Sequence, residues 1–323
     1  MPTIATALGA VSVESLGPTL THEHLFMNLM PERRGDGLVH DEALLADELQ
    51  FFADQGGRTI FDLTSAELTV GSTPDSTSDF TAAAGQTRNP RAVEGIQRIS
   101  KRTGVHVVLG TGRYRDPFLQ PELVAEIGVE GLKEEMVRDL TEGIPGTTAR
   151  AGLVGEIGSD KWFVSENEAK VFRAAALAHH ETGTVVYTHA ARWHVALEQI
   201  DLLLSAGMDP GKVAIGHVDT VPTPGFARRV AERGVFVGID TINTARPHEV
   251  RSRVAAVIEL ARSGYLDRIL LAHDVCTASQ LRANGGNGYG FILGAFREAL
   301  LEGGLDAGEF DEIVIGNPQR LLT

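Results

Sequence analysis

The stretch Leu20-Thr-His-Glu-His-Leu-Phe26 sets two histidines one residue apart at the end of an apolar run. A β-strand alternates its faces with period two, so His22 and His24 project from one side and Glu23 from the other. Two imidazoles on one face can grip one ion. Four more residues of ligating type each end an apolar run: Glu156 after Ala151-Gly-Leu-Val-Gly155, His189 after Thr184-Val-Val-Tyr-Thr188, His217 after Val213-Ala-Ile-Gly216, and Asp274 after Ile269-Leu-Leu-Ala-His273. Nitrogen and carboxylate donors from five strand ends suit a divalent metal.

Working outward, short runs rich in Val, Ile and Leu recur between longer segments of helical spacing, the pattern of repeated βα units around a parallel sheet. Eight such runs lie near Pro18 to His24, Arg58 to Thr64, Val105 to Thr111, Gly152 to Ile157, Thr184 to His189, Lys212 to His217, Val235 to Asp240 and Arg268 to Asp274. Helices are expected over Asp41 to Asp54, Asn89 to Arg102, Glu166 to Glu181, Ala196 to Ala206, Gly225 to Arg233 and Glu249 to Ser263. Pro90 stands at a helix start, and Gly183, Gly207, Gly234 and Gly264 follow helical stretches. The reading is an α/β fold, a closed (β/α)₈ TIM barrel, rather than an open doubly wound sheet. Ser65 to Thr87 and the glycine-rich Gln280 to Gly290 read as loops at the barrel mouth. No linker separates domains, so residues 1–323 read as a single domain.

The chain of 323 residues is 43% hydrophobic and 22% charged, ordinary for a folded domain with a large core. Its net charge of −14 opposes binding to nucleic acid or anionic membranes, so neither is expected as a partner. Cys276 is the single cysteine, which excludes an internal disulfide. No signal-like start or membrane-length apolar run occurs, and the protein reads as cytoplasmic.

In a barrel the C-terminal strand ends meet at one rim, where barrel enzymes place their chemistry. Taken singly, a His at a strand end is an ordinary hydrogen-bonded residue and an Asp an ordinary helix cap. Six converging candidates read as a site. His22, His24 and Asp274 would hold the more enclosed ion, His189 and His217 the second, and Glu156 would bridge them. Two divalent ions about 3.5 to 4 Å apart acidify a shared water and stabilise charge developing on a carbonyl or phosphoryl oxygen. Asp274 has a second, catalytic role open to it, carrying the water's proton to the leaving group.

Tyr114, Arg192 and Arg246 follow the third, fifth and seventh strands and are candidate substrate contacts; helix capping for Arg192 and a surface ion pair for Arg246 are the competing readings. Asp62 and Asp240 end strands and are open to hydrogen bonding behind the ligands or to helix capping. His273 is expected to face the helix layer. Cys276 has no evident paired base and reads as a small buried or rim-lining residue. Gly110 and Gly112 begin a GxG pattern, but Arg115 stands where the dinucleotide fingerprint needs its last glycine.

The segments Thr21-His-Glu-His24, Gly155-Glu-Ile157, Thr188-His189, Ile215-Gly-His217 and Ala272-His-Asp274 resemble the phosphotriesterase family of the amidohydrolase superfamily, over nearly the whole chain to Thr323. The resemblance implies an amidohydrolase-like barrel, a binuclear centre usually of zinc, with manganese, cobalt or iron as alternatives, and hydrolysis of phosphotriesters, lactones or related esters in a small-molecule substrate. It also implies a homodimer. Many members bridge their metals with a carboxylated lysine on the fourth strand. Here that strand offers Glu156, with Lys161 a fallback beyond its end, which resembles the phosphotriesterase-related branch. Leu271-Ala-His-Asp-Val275 and Asn284-Gly-Gly-Asn-Gly-Tyr289 point the same way, toward a branch that includes amide-hydrolysing members. Cleavage of an ester, lactone or amide is therefore the leading expectation. Organophosphate triester hydrolysis and a non-catalytic metal-containing ligand-binding role are the alternatives.

Overall fold

In the computed structural model, residues 2–69 and 83–323 are described. Eight parallel strands form the sheet in sequential order: β1 (Thr19–Glu23), β2 (Thr59–Asp62), β3 (His106–Thr111), β4 (Leu153–Gly158), β5 (Val186–His189), β6 (Val213–Gly216), β7 (Phe236–Ile239) and β8 (Ile269–Leu271). Contacts between β8 and β1 bring the sheet nearly to closure: the Asp274 N–H donates to the His22 carbonyl at 3.2 Å and Thr21 Oγ1 to the Leu271 carbonyl at 3.4 Å. The eight apolar runs are thus the eight staves of a TIM barrel.

The alternation within each stave divides the core. Phe61, Val108, Leu153, Tyr187, Ala214, Phe236 and Leu270, one from each of β2 to β8, point inward and pack with Leu321 near the C-terminus. Their neighbours along the strands, among them Ile60, Val107, Val154, Val186, Ile215, Val237 and Leu271, pack outward against the helices. The barrel interior below the rim is therefore filled, and chemistry is confined to the mouth.

Local signals explain the helices. In α1 (Glu42–Asp54) the Asp41 side chain accepts from the Leu44 N–H, and α2 (Pro90–Thr103) is capped by Asn89, begins on Pro90 and ends at left-handed Gly104. The longest helix, α3 (Pro121–Thr141), was not anticipated; Gly128, at φ 63°, breaks its regular turns and splits its apolar spacing into two short registers. Ser165 and Glu168 form a capping box at the start of α4 (Glu166–Thr182), which ends at Gly183. The helices α5 (Ala196–Ser205), α6 (Phe226–Ala231) and α7 (Pro247–Leu260) complete the expected set. Also unanticipated is an antiparallel hairpin, Thr3–Thr6 with Gly9–Ser12, docked at the start of β3 through the Ala7 N–H and the Val107 carbonyl at 2.8 Å. Part of the expected loop from Ser65 to Thr87, residues 70–82, lies outside the described residues. No helix among the described residues is long and apolar enough to cross a membrane.

Candidate metal centre

All six predicted ligand residues come together at the C-terminal mouth. Glu156, on β4, is 1% exposed and lies at the middle of the group. Its Oε2 is 2.9 Å from His189 Nδ1, 3.3 Å from His22 Nε2 and 3.6 Å from His217 Nε2, and its Oε1 is 3.5 Å from His24 Nε2. Asp274 Oδ1 stands 3.3 Å from His24 Nε2 on the far side. Two overlapping sets of donor atoms result, His22 with Glu156 and His217, and His22 with His24 and Asp274, each confined within 4.8 Å.

The backbone sets these positions. His22, on β1, and His24, one residue past its end, project to the same side, with ring centroids 5.4 Å apart. Glu23, on the opposite face, accepts from the His273 N–H at 2.8 Å and lies 2.8 Å from His273 Nδ1, so His273 turns away from the site as expected. Asp274 falls three residues beyond the end of β8 rather than at it: the His273 N–H turns to the Glu23 carboxylate, while the Asp274 N–H still reaches the His22 carbonyl across the closing seam. His217 and Asp274 adopt left-handed φ of 60° and 54°, a conformation uncommon for non-glycine residues but most accessible to Asn, Asp and His.

The outward ring nitrogens are anchored. Asp240 takes His22 Nδ1 with Oδ2 and His217 Nδ1 with Oδ1, both at 2.9 Å, and its Oδ2 accepts from the Tyr187 hydroxyl at 2.9 Å. Thr64 Oγ1 lies 3.0 Å from His24 Nδ1. Of the two readings of Asp240, hydrogen bonding behind the ligands is the one the structure shows; Asp62 instead binds Arg88. What remains is decisive for the donor set: His22 Nε2 and His24 Nε2 are buried, face the carboxylates, and have no hydrogen-bond partner. Buried polar atoms are seldom left so, and a divalent cation is the partner that satisfies imidazole nitrogens and carboxylate oxygens together.

Electrostatics agree. Burial disfavours the charged His22 ring, but Glu156 and Asp240 outweigh it and push its pKa up to about 10. The charge on His22, with hydrogen bonds from His189 and His217, overcomes burial and holds Glu156 well below the usual carboxylate range. His189, desolvated and beside His217, is driven down to about 3. Such divergent neighbours mark a site that concentrates charge.

The sequence pattern that defines the phosphotriesterase family matches residues 2–73 and 81–322. The chain belongs to that family. It is 32% identical to the phosphotriesterase homology protein of Escherichia coli over 97% of this chain and 100% of that protein, and 31% identical to an N-acetyltaurine hydrolase of Salmo salar over 99% and 97%. A solved lactonase from Listeria monocytogenes superposes with a TM-score of 0.82 at 28% identity, over 100% of this chain and 99% of that one. Within the phosphotriesterase family, the buried Glu156 in contact with four histidines fits a bridging glutamate. Lys161 is not a rival, since it lies past β4 with its Nζ 5.9 Å above the Phe163 ring.

The same mouth opens into a cavity of about 590 Å³ lined by Glu156, His189, His217 and Asp274 and by all three candidate substrate contacts. Tyr114 is 3% exposed with its hydroxyl 3.2 Å from His189 Nδ1, closer to the centre than its sequence position indicated. Arg192 caps no helix; its backbone N–H donates to Thr220 Oγ1 at 2.6 Å and φ is 72°. Arg246 makes the anticipated surface pair, 3.3 Å from Glu249, yet still borders the cavity. Sequence reading missed Arg33, Arg115 and Arg253, which also line it. Cys276 lines it too, and burial together with Asp274 pushes its thiol well above the usual range, unsuited to nucleophilic attack.

Proposed function

We propose that this chain is a binuclear metal-dependent hydrolase of an ester, lactone or amide bond, with a small anionic N-acyl compound the favoured substrate. The observation that carries the reading is the pair of buried, unpartnered nitrogens, His22 Nε2 and His24 Nε2, turned toward Glu156 and Asp274. His22, His24 and Asp274 would hold one divalent ion, His189 and His217 the other, and Glu156 would bridge them; zinc is the first choice, with manganese, cobalt or iron also suited to this set. The chemistry such a pair supplies when bound is acidification of water and polarisation of the scissile carbonyl.

The protein's own groups account for the rest. Asp274 has the most exposed side chain of the six, at 17%, and fronts the cavity, so it can accept the proton of the attacking water and deliver it to the leaving group. An amide needs that delivery more than an activated phosphotriester does. Burial and Glu156 hold the Tyr114 phenol well above its usual pKa, so it remains a hydrogen-bond donor at the cavity wall.

Charge supports the substrate class. The cavity's cationic lining comprises Arg33, Arg115, Arg192, Arg246 and Arg253, with no lysine, and guanidinium forks match carboxylate, sulfonate or phosphate geometry. Arg115 is spent on Glu32 and Asp160, and Arg253 on Asp219, which leaves Arg33, Arg192 and the loosely paired Arg246 for a substrate. A panel of N-acetylated amino acids, lactones and paraoxon-like triesters tests the reading on metal-loaded protein. Preference for the N-acyl acids, with kcat reduced roughly 10²- to 10⁴-fold in Asp274→Asn, is expected. Preference for the triester by orders of magnitude, or full activity after complete metal removal, contradicts it.

A further inference from the structure

Three of the six large apolar side chains exposed among the described residues gather at one place: Trp162 at 65%, Trp193 at 44% and Phe163 at 39%. Trp162 and Phe163 follow β4, which carries Glu156, and Trp193 follows β5, which ends at His189. The two tryptophan rings meet edge to face at 6.0 Å and Trp162 meets Phe163 at 5.5 Å.

Their exposure is held in place. Before Trp162, Asp160 is fixed by Arg115 and by its own N–H to Glu168 Oε1 at 2.9 Å; after Phe163, the Val164 N–H donates to Glu198 Oε2 at 3.1 Å. Trp193 is framed by left-handed Arg192, tied to Thr220, and by His194, whose Nε2 lies 2.8 Å from Thr223 Oγ1. Two short segments anchored on both sides thus present aromatic faces to solvent. Arg192, which precedes Trp193, and Asp160, two residues before Trp162, line the catalytic cavity, so both aromatic segments leave directly from its rim.

We propose that Trp162, Phe163 and Trp193 form an apolar subsite that receives a hydrocarbon group of the substrate, an acyl chain or an apolar side chain, projecting from the cavity. This rests on the hydrolase reading given above. Departure of both segments from cavity-lining residues favours a substrate group over a second copy of the chain, and so does size: the ledge exposes on the order of 300 Å², against about 800 Å² per partner in a stable interface. The neighbouring Arg192 adds a cation, so the subsite suits an amphiphilic molecule with an anionic group near an apolar one.

Trp162 and Trp193 are the chain's only tryptophans, so fluorescence excited selectively at tryptophan reports on the ledge alone. The test titrates metal-loaded, full-length protein with N-acylglycines from acetyl to decanoyl, and with N-acetyl derivatives of glycine, leucine and phenylalanine. Expected is a saturable fluorescence change in at least one series that strengthens with apolar size, by about 1.5- to 2-fold per methylene, below the roughly fourfold of full burial. In Trp162→Ala with Trp193→Ala that dependence flattens in kcat/KM while N-acetylglycine turnover stays within twofold, and Trp162→Phe retains it. An unchanged size dependence in the double alanine variant overturns the proposal, as does a fluorescence shift that follows protein concentration without any probe, which would give the ledge to a second copy. Loss of all turnover with the size-dependent fluorescence intact leaves the subsite standing and sinks the hydrolase reading instead.

Discussion

His22 is gripped from both ends: its Nδ1 lies 2.9 Å from Asp240 Oδ2 while its Nε2 faces Glu156 Oε2 at 3.3 Å. Asp240 fixes both the tilt of this ring and, through its other oxygen, that of His217. A carboxylate behind a ligating imidazole orients it and raises its basicity. Asp240→Asn is therefore expected to weaken metal retention about 10- to 100-fold without unfolding the barrel. Competition against a chelator of known affinity, with a thermal melt alongside, measures both.

As the proposed bridge, Glu156 would supply both oxygens from its own side chain, which a carboxylated lysine does only after reacting with carbon dioxide. Metal reloading in carbon-dioxide-depleted buffer is expected to restore activity as fully as reloading with added bicarbonate. A bicarbonate requirement would place the bridge on another residue.

The pH dependence of the metal-free protein follows from His22. Its pKa, about 10 in the folded state against 6.5 as the ordinary value, is raised, so this ring contributes stability that is complete below about pH 6.5 and lost as pH climbs through 10. Chelator-treated protein is expected to lose melting temperature between pH 7 and 9.5. Metal-loaded protein, in which the ring is neutral, loses this dependence, and uptake of metal releases protons. A melting temperature that rises over that interval in the metal-free protein contradicts the assignment.

Gly110 shows how a sequence signal can mislead about function yet mark a real constraint. It begins a failed dinucleotide pattern, but a Cβ built there would lie 1.9 Å from the Gly155 carbonyl oxygen, next to Glu156. Gly110→Ala is expected to cost about 3 kcal/mol of stability and to disturb the position of β4. Denaturant unfolding of the variant reads the first effect and metal content the second.

The barrel was legible because most of the parallel strands, buried on both faces, are short apolar runs followed by a polar residue, and the six candidate ligands lie within three residues of those strand ends. Same-face spacing also foretold that His22 and His24 converge while Glu23 turns away. Partnerships across the barrel left no such trace. Asp240 behind His22 and His217, Glu23 on His273 and Tyr114 against His189 join residues 218, 23, 250 and 75 positions apart, and only closure of the sheet brings them together. The aromatic ledge was equally hidden, since Trp162 and Trp193 meet only because β4 and β5 are neighbours.

The central claim is that one buried carboxylate joins two metal positions. Anomalous diffraction from zinc-loaded crystals, recorded on both sides of the zinc edge, tests it most directly. Two peaks about 3.5 to 4 Å apart are expected, one beside His22, His24 and Asp274, the other beside His189 and His217, with Glu156 between them. A single peak, or none within bonding distance of Glu156, would contradict the account.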